Sequence, residues 1–276
     1  MSQSIETLPQ VEAALNYLAP MADRPRNYTY EPPAGVPRSN IVSDTHIVPV
    51  HSARPIAADV SLDREGFALL HQRSAVRDFY DDEEVRRVYY PEAAQVLAEA
   101  TGARRVFVFD HTVRRRVPGV EDRAAGALRQ PVPRVHVDHT VKSGPQRVRD
   151  LLGDEAEELL RGRFEVVNLW RPIRGPLRDA PLAVCDARTV AADDLVPSDL
   201  VYRDRVGETY AVRFNPQHRW FYVPEMQADE ALLLKCYDSA TDGRARFAPH
   251  TAFEDPTAGP DVAPRESIEL RTFLFH

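Results

Sequence analysis

Lysine is almost missing from this 276-residue chain: of 35 basic residues only Lys142 and Lys235 are lysines, the rest arginine. With a net charge of −7, that imbalance reads as codon usage in an Arg-heavy, Ala-rich protein. It does not read as an affinity for polyanions, and no nucleic-acid partner is expected. The densest basic spot, Arg114-Arg115-Arg116, reads as a solvated strand end. Cysteine is scarce too. Cys185 and Cys236 cannot build a disulfide framework and fit two half-buried thiols in a reducing cytoplasm. No apolar run approaches the roughly 18 residues that span a bilayer, so no membrane association is expected. The first residues lack the basic and apolar regions of a secretory signal. There is no Gly-x-Gly-x-x-Gly and no regular alternation of strand and helix, which argues against a dinucleotide-binding fold. Absence of Gly-x-Ser-x-Gly and of Cys-x-x-Cys weakens the usual hydrolase and zinc-ribbon readings.

What is present is ordinary globular material, 43% hydrophobic and 28% charged, long enough to bury a sizeable core without staples. Twenty-three prolines break the chain into short elements. Residues 8–18 place apolar groups at helical spacing between Pro9 and Pro20 and are expected to form a helix. Residues 27–50 read as extended segments around a turn. Residues 82–101 read as a helix that Gly102 ends, with a break expected at Pro91. Beyond Gly102 strand-like runs dominate: 106–110, 134–138, 164–170, 181–185, 200–204, 208–214, 219–223, 231–237 and 266–275. One helix near 145–162 intervenes. Many short strands separated by Pro, Gly and Asp predict a sandwich or barrel, with helices gathered toward the N-terminus.

Among nine histidines, His136-Val137-Asp138-His139 stands out. In a helix His136 and His139 would share a face. In a strand His136 and Asp138 would, at about 7 Å between Cα atoms, with His139 turned away. Flanking prolines and valines favour the strand. An imidazole and a carboxylate so placed can take adjacent positions on one metal. His250 offers a second imidazole, and two histidines with one carboxylate make the facial triad that leaves three iron positions open. His218 is a second candidate for the distal ligand. In a strand over 265–271, Arg265, Ser267, Glu269 and Arg271 share a face. Arg265 presents a planar fork suited to a carboxylate, with Arg271 the alternative fork and Ser267 adding a hydroxyl to the same anion. Lys235, in an otherwise apolar strand, is either a snorkelling edge lysine or an extra cation in the same pocket. Asn168 and Arg171, flanking Trp170, are further candidates for contact with a bound acid or for buried hydrogen bonding.

The order His-x-Asp, His, Arg-x-Ser resembles that of the 2-oxoglutarate/Fe(II)-dependent oxygenases. Several stretches more closely resemble the CmcJ/NvfI branch, which includes the hydroxylase component of cephamycin methoxylation and the gibberellin desaturase-like proteins. They are Val135–Asp138, Asn168–Pro172, Pro181–Ala187, Asn215–Trp220, Leu234–Ser239, Ala248–Phe253 and Arg265–Arg271. The resemblance covers residues 100–276 well and 25–60 more loosely. It implies an α+β chain with a mainly β core, a double-stranded β-helix (jelly-roll) with N-terminal and flanking helices. Residues 1–276 would form a single oxygenase domain, with 1–100 packing on a core at 101–276. It implies that His136, Asp138 and His250 bind Fe(II), and that Arg265 with Ser267 grips the C5 carboxylate of 2-oxoglutarate. Lys235, Asn168 and Arg171 would be secondary cosubstrate contacts. Dioxygen would then oxidise a small-molecule substrate, with hydroxylation as the default and desaturation, epoxidation or isomerisation open to the same centre. Succinate and CO2 would be released, and specialised metabolism would be the setting.

Two other readings compete. One is a cupin-like zinc hydrolase or isomerase using the same three ligands without Arg265. The other is a non-catalytic component that needs a partner such as a methyltransferase. The sequence leaves the oligomeric state open, a homodimer included.

Overall fold

Two sheets, whose central strands are buried along almost their whole length, organise this chain. The computed structural model describes residues 7–120, 122 and 128–276. In chain order the strands are β1 (Gln10–Leu18), β2 (Arg26–Tyr28), β3 (Ser43–Ser52), β4 (Phe67–His71), β5 (Arg105–Arg115), β6 (His136–Val137) and β7 (Phe164–Pro172). They continue with β8 (Leu182–Cys185), β9 (Leu195–Val201), β10 (Val206–Val212), β11 (Trp220–Tyr222), β12 (Glu230–Asp238), β13 (His250–Ala252) and β14 (Glu266–Phe275). The larger sheet runs β1-β3-β11-β8-β13-β6-β10-β9-β2, and the smaller runs β4-β12-β7-β14-β5. Phe67, Trp170, Leu182, Val184, Phe221, Leu232 and Leu234 fill the space between them. Two facing, largely antiparallel sheets around such a core form the expected double-stranded β-helix.

The three middle strands of the smaller sheet are buried on both faces. Val167, Leu169, Leu233, Ile268 and Leu270 point outward and are covered by Val85, Tyr89, Ala93 and Leu97. These four come from a helical segment that starts as α1 (Asp82–Glu84), passes through a π-helical turn (Val85–Tyr89) and continues as α2 (Tyr90–Thr101). Asp81 caps its first amides, and Gly102 ends it in the left-handed conformation at φ +72°. The irregular turn falls just before Pro91, where a break is expected. Helix α3 (Ser143–Leu152) stops at Gly153 and a shorter α4 (Ala156–Leu159) follows, so the single helix read over 145–162 is two.

One expected element is wrong. Residues 8–18 form no helix; β1 pairs with β3 along its whole length, from Gln10 opposite His51 to Leu18 opposite Ser43. Val11, Ala13, Leu15 and Tyr17 turn inward at period two, while Gln10, Glu12 and Ala14 face solvent. Ala14 is apolar but exposed. Counting it with Val11, Leu15 and Leu18 produces the false helical spacing, which pairing with β3 overrides.

Candidate metal centre

His136 on β6 and His250 on β13 are directly opposed cross-strand partners in the middle of the larger sheet. Their ring centroids lie 4.5 Å apart. His136 Nδ1 is 2.7 Å from the Arg134 carbonyl, and His250 Nδ1 is 3.1 Å from the Ala248 carbonyl. A carbonyl only accepts, so each Nδ1 donates its proton and each Nε2 is left as a bare lone pair. Asp138 Oδ1 lies 3.5 Å from His136 Nε2. One donor atom from each of His136, Asp138 and His250 falls within 4.8 Å of the others.

The other carboxylate oxygen is held from behind. Asn168 Nδ2 donates to Asp138 Oδ2 at 2.8 Å and to Glu269 Oε1 at 2.9 Å. Arg271 approaches Asp138 Oδ2 at 3.4 Å and donates to Glu269 Oε2 and Thr112 Oγ1, each at 2.9 Å. Burial alone would raise the Asp138 carboxyl; His136 beside one oxygen and the charge of Arg271 beside the other outweigh it and hold it well below the usual range. Burial, then the neighbouring His136, pushes His250 down, which keeps its ring neutral. Two imidazoles and one carboxylate suit a divalent iron.

Arg265 enters the same chamber from the start of β14. It is 2% exposed. Its Nε donates to Ser267 Oγ at 3.1 Å and its Nη1 to the Ala180 carbonyl at 2.8 Å, and the guanidinium stacks 4.9 Å from the Trp170 ring. Among the described residues its side chain makes no ion pair, and burial pushes it down to about 9. A buried cation without a counter-ion is costly, so the chamber fits an anionic ligand at this point. Arg271 is already engaged by Asp138 and Glu269 and is not a free fork.

Strand parity separates the remaining candidates. Asn168 faces inward with Trp170, but Arg171 lies an odd number of residues away and faces outward. There its guanidinium donates to Gln72 Oε1 at 2.9 Å, to the Gln72 carbonyl at 2.8 Å and to the Ala228 carbonyl, over the ring of Tyr89. Lys235, opposite outward-facing Val167, is fully buried. Its Nζ lies 3.0 Å from Asp63, 2.6 Å from Glu165 and 2.7 Å from Asp238. Those carboxylates are close enough to hold a cation, and the ammonium already sits among them. The structure therefore places neither Lys235 nor Arg171 in the chamber, contrary to the sequence expectation. His218 pairs with Asp194 at 3.0 Å and stacks on Tyr17, away from the triad. His139 turns from it toward Phe109.

Asn168, left open between contact with a bound acid and buried hydrogen bonding, takes the second role at the Asp138 carboxylate. One participant escapes the sequence reading. Arg114, expected in a solvated run, is buried opposite Ser267. Alternation along β5 is the signal that separates it from exposed Arg115.

Comparison with known proteins agrees with this arrangement. A family model described as "Oxidoreductase/YMDC permease-like domain" matches residues 15–275. No helix among the described residues is long and apolar enough to cross a membrane. The chain is 35% identical to the hydroxylase/desaturase efuI of Hormonema carpetanum, over 97% of this chain and 95% of the relative. It is 34% identical to the alpha-ketoglutarate-dependent dioxygenase phiK of a fungal species, over 96% and 95%. It is 32% identical to the Fe(II)/2-oxoglutarate-dependent dioxygenase nvfI of Aspergillus novofumigatus, over 90% of each. A solved structure of the iron and alpha-ketoglutarate-dependent endoperoxidase NvfI superposes with a TM-score of 0.86 at 30% identity, covering 96% of this chain and 98% of that one.

Proposed function

The chain belongs to the Fe(II)/2-oxoglutarate-dependent oxygenases, and on that premise we propose that His136, Asp138 and His250 hold the iron and that Arg265 with Ser267 holds the distal carboxylate of 2-oxoglutarate. The observation that carries this is the convergence of three donor atoms within 4.8 Å beside a buried guanidinium that makes no ion pair among the described residues. Iron with 2-oxoglutarate supplies oxidation of a small molecule by dioxygen, with succinate and carbon dioxide as co-products.

The residues supply the rest. His136 and His250 present Nε2 because backbone carbonyls hold the protons on Nδ1. Asn168 and Arg271 keep Asp138 ionised and aimed, so one oxygen points at the metal position. Arg265 and Ser267 fix one end of the co-substrate, so its oxo-acid end reaches the iron in a single orientation. Trp170 walls this end and keeps water from the guanidinium. Lys235 and Arg171 have no part in this assignment.

Hydroxylation is the outcome we assign first; where the substrate C–H is held decides whether desaturation, epoxidation or isomerisation replaces it. Specialised metabolism is the proposed setting, in line with a relative named for aspirochlorine biosynthesis. We read residues 1–276 as one oxygenase domain, because β1 and β3 extend the same sheet that carries His136 and His250. A cytoplasmic location is proposed on the two buried free thiols, Cys185 and Cys236. Light scattering in solution would separate a monomer from a homodimer.

The deciding experiment is anaerobic titration of the protein with Fe(II) and 2-oxoglutarate. A visible charge-transfer band should form in the native chain and vanish in Asp138→Ala, and succinate release should vanish with it. A fully iron-loaded native chain without the band would overturn the assignment.

A further inference from the structure

The three arginines that end β5 part ways. Arg114 lies directly opposite Ser267 and so shares the inward face of the smaller sheet. It is 8% exposed, its one side-chain hydrogen bond runs from Nη1 to the Gln130 carbonyl at 2.8 Å, and among the described residues it forms no ion pair. Glu269, on the same face, is already engaged by Asn168 and Arg271. Burial pushes Arg114 down to about 10, and its charge also depresses Arg265.

Ser267 Oγ accepts from Arg265 Nε, Arg114 is the residue opposite Ser267 across the β5–β14 pair, and among the described residues neither guanidinium has a carboxylate within ion-pair distance. The other carboxylates that act on these two guanidiniums have partners of their own: Asp179 pairs with Arg116, Asp122 with Arg129, and Glu269 with Arg271. A second buried cation whose charge is felt by Arg265 costs stability unless an anion joins them.

We propose that Arg114 is a second cationic contact for the distal carboxylate of 2-oxoglutarate, which two guanidiniums then grip across Ser267. This rests on the assignment of Arg265 to that same carboxylate. Its consequence is a preference for 2-oxo acids with a second carboxylate, stronger than one arginine would give. The other source of a carboxylate is the substrate, and the test separates the two.

Affinities for 2-oxoglutarate and for pyruvate, which lacks the distal carboxylate, are measured by anaerobic titration of iron-loaded protein. Native chain, Arg114→Met, Arg114→Lys and Arg265→Met are compared. Thermal unfolding of the metal-stripped proteins is followed with and without glutarate, and benzoate serves as a monocarboxylate probe of the substrate side. Arg114→Met should weaken 2-oxoglutarate roughly 10–100-fold and leave pyruvate unchanged. It should also erase most of the stabilisation by glutarate, while the ligand-free variant melts no lower than the native chain, because an unpaired buried charge is gone. A purely structural arginine would instead lower the melting temperature. Arg114→Lys, which keeps the charge without the fork, should fall between and decides the matter if the methionine variant does not fold. If Arg114→Met and Arg114→Lys keep native affinity for 2-oxoglutarate while Arg265→Met loses it, the proposal for Arg114 is overturned and Arg265 stands. Benzoate binding that alone depends on Arg114 overturns it in favour of the substrate. Full affinity in all three variants sinks the Arg265 assignment itself.

Discussion

Asn168 holds two carboxylates with one amide, donating to half-buried Asp138 and to buried Glu269 from the same nitrogen. Outer contacts of this kind set the orientation of a metal ligand. Asn168→Ala should lower iron affinity roughly 10–100-fold while the fold survives. Calorimetric metal titration beside circular dichroism checks both halves, and unchanged affinity would remove Asn168 from the site. At this scale the sequence is readable where parity is simple. Arg265, Ser267, Glu269 and Arg271 sit on alternate positions of one strand, and the chamber wall follows from that count. Asn168 and Arg171 differ by three, an odd step, and the same count excludes Arg171. Arg114 is harder to see, because a run of three identical residues hides which one turns inward.

Gly66 shows how one element disciplines another. Its φ is +85°, and a Cβ there would meet the Cβ atoms of Ala248 at 3.0 Å and Ala187 at 3.1 Å. The Ala248 carbonyl is the acceptor that orients His250. Gly66→Ala should therefore cost about 1–3 kcal/mol in urea unfolding and also weaken iron binding. Gly243, at φ +100° with open space around it, supplies the control. Gly243→Ala should show backbone strain only, with iron affinity intact. The Lys235 cluster makes a separate prediction. Burial would raise the Asp238 carboxyl, but Arg163 and Lys235 bring it below its ordinary value; Asp63 is lowered in the same way. Depressed carboxylates stabilise the fold above their unfolded pKa, and that contribution fades as pH falls through the lower folded values, below about 4. Lys235→Met strands the buried carboxylates and should cost about 3–5 kcal/mol near neutrality. Acid unfolding should then begin at higher pH, read from denaturant midpoints across a pH series. Activity lost without such a stability change would return Lys235 to the active chamber.

Across the whole molecule, the jelly-roll core is legible from strand spacing and the triad order, because strands packed on both faces read as short apolar runs bounded by turn residues. β1 is not, because exposed Ala14 mimics a helical repeat and only its partner β3 decides the matter. Binding of iron with 2-oxoglutarate should raise global stability by about 2.7 kcal/mol at a hundredfold excess over Kd. Anaerobic thermal scans with and without chelator measure it, and no shift would mean that the folded chain does not bind them in preference to the unfolded one.

β14 has work on both sides. Ser267, Glu269 and Arg271 line the chamber, while Ile268 and Leu270 press against the helix that covers the sheet. Removing or adding one residue there would exchange the two rows, leaving charges under the helix and grease around the metal. Such length changes are closed to this strand over evolutionary time. Its descendants can diversify only by substitution in place or by remodelling the connections at its ends, and those connections are where new chemistry should be sought among related genes.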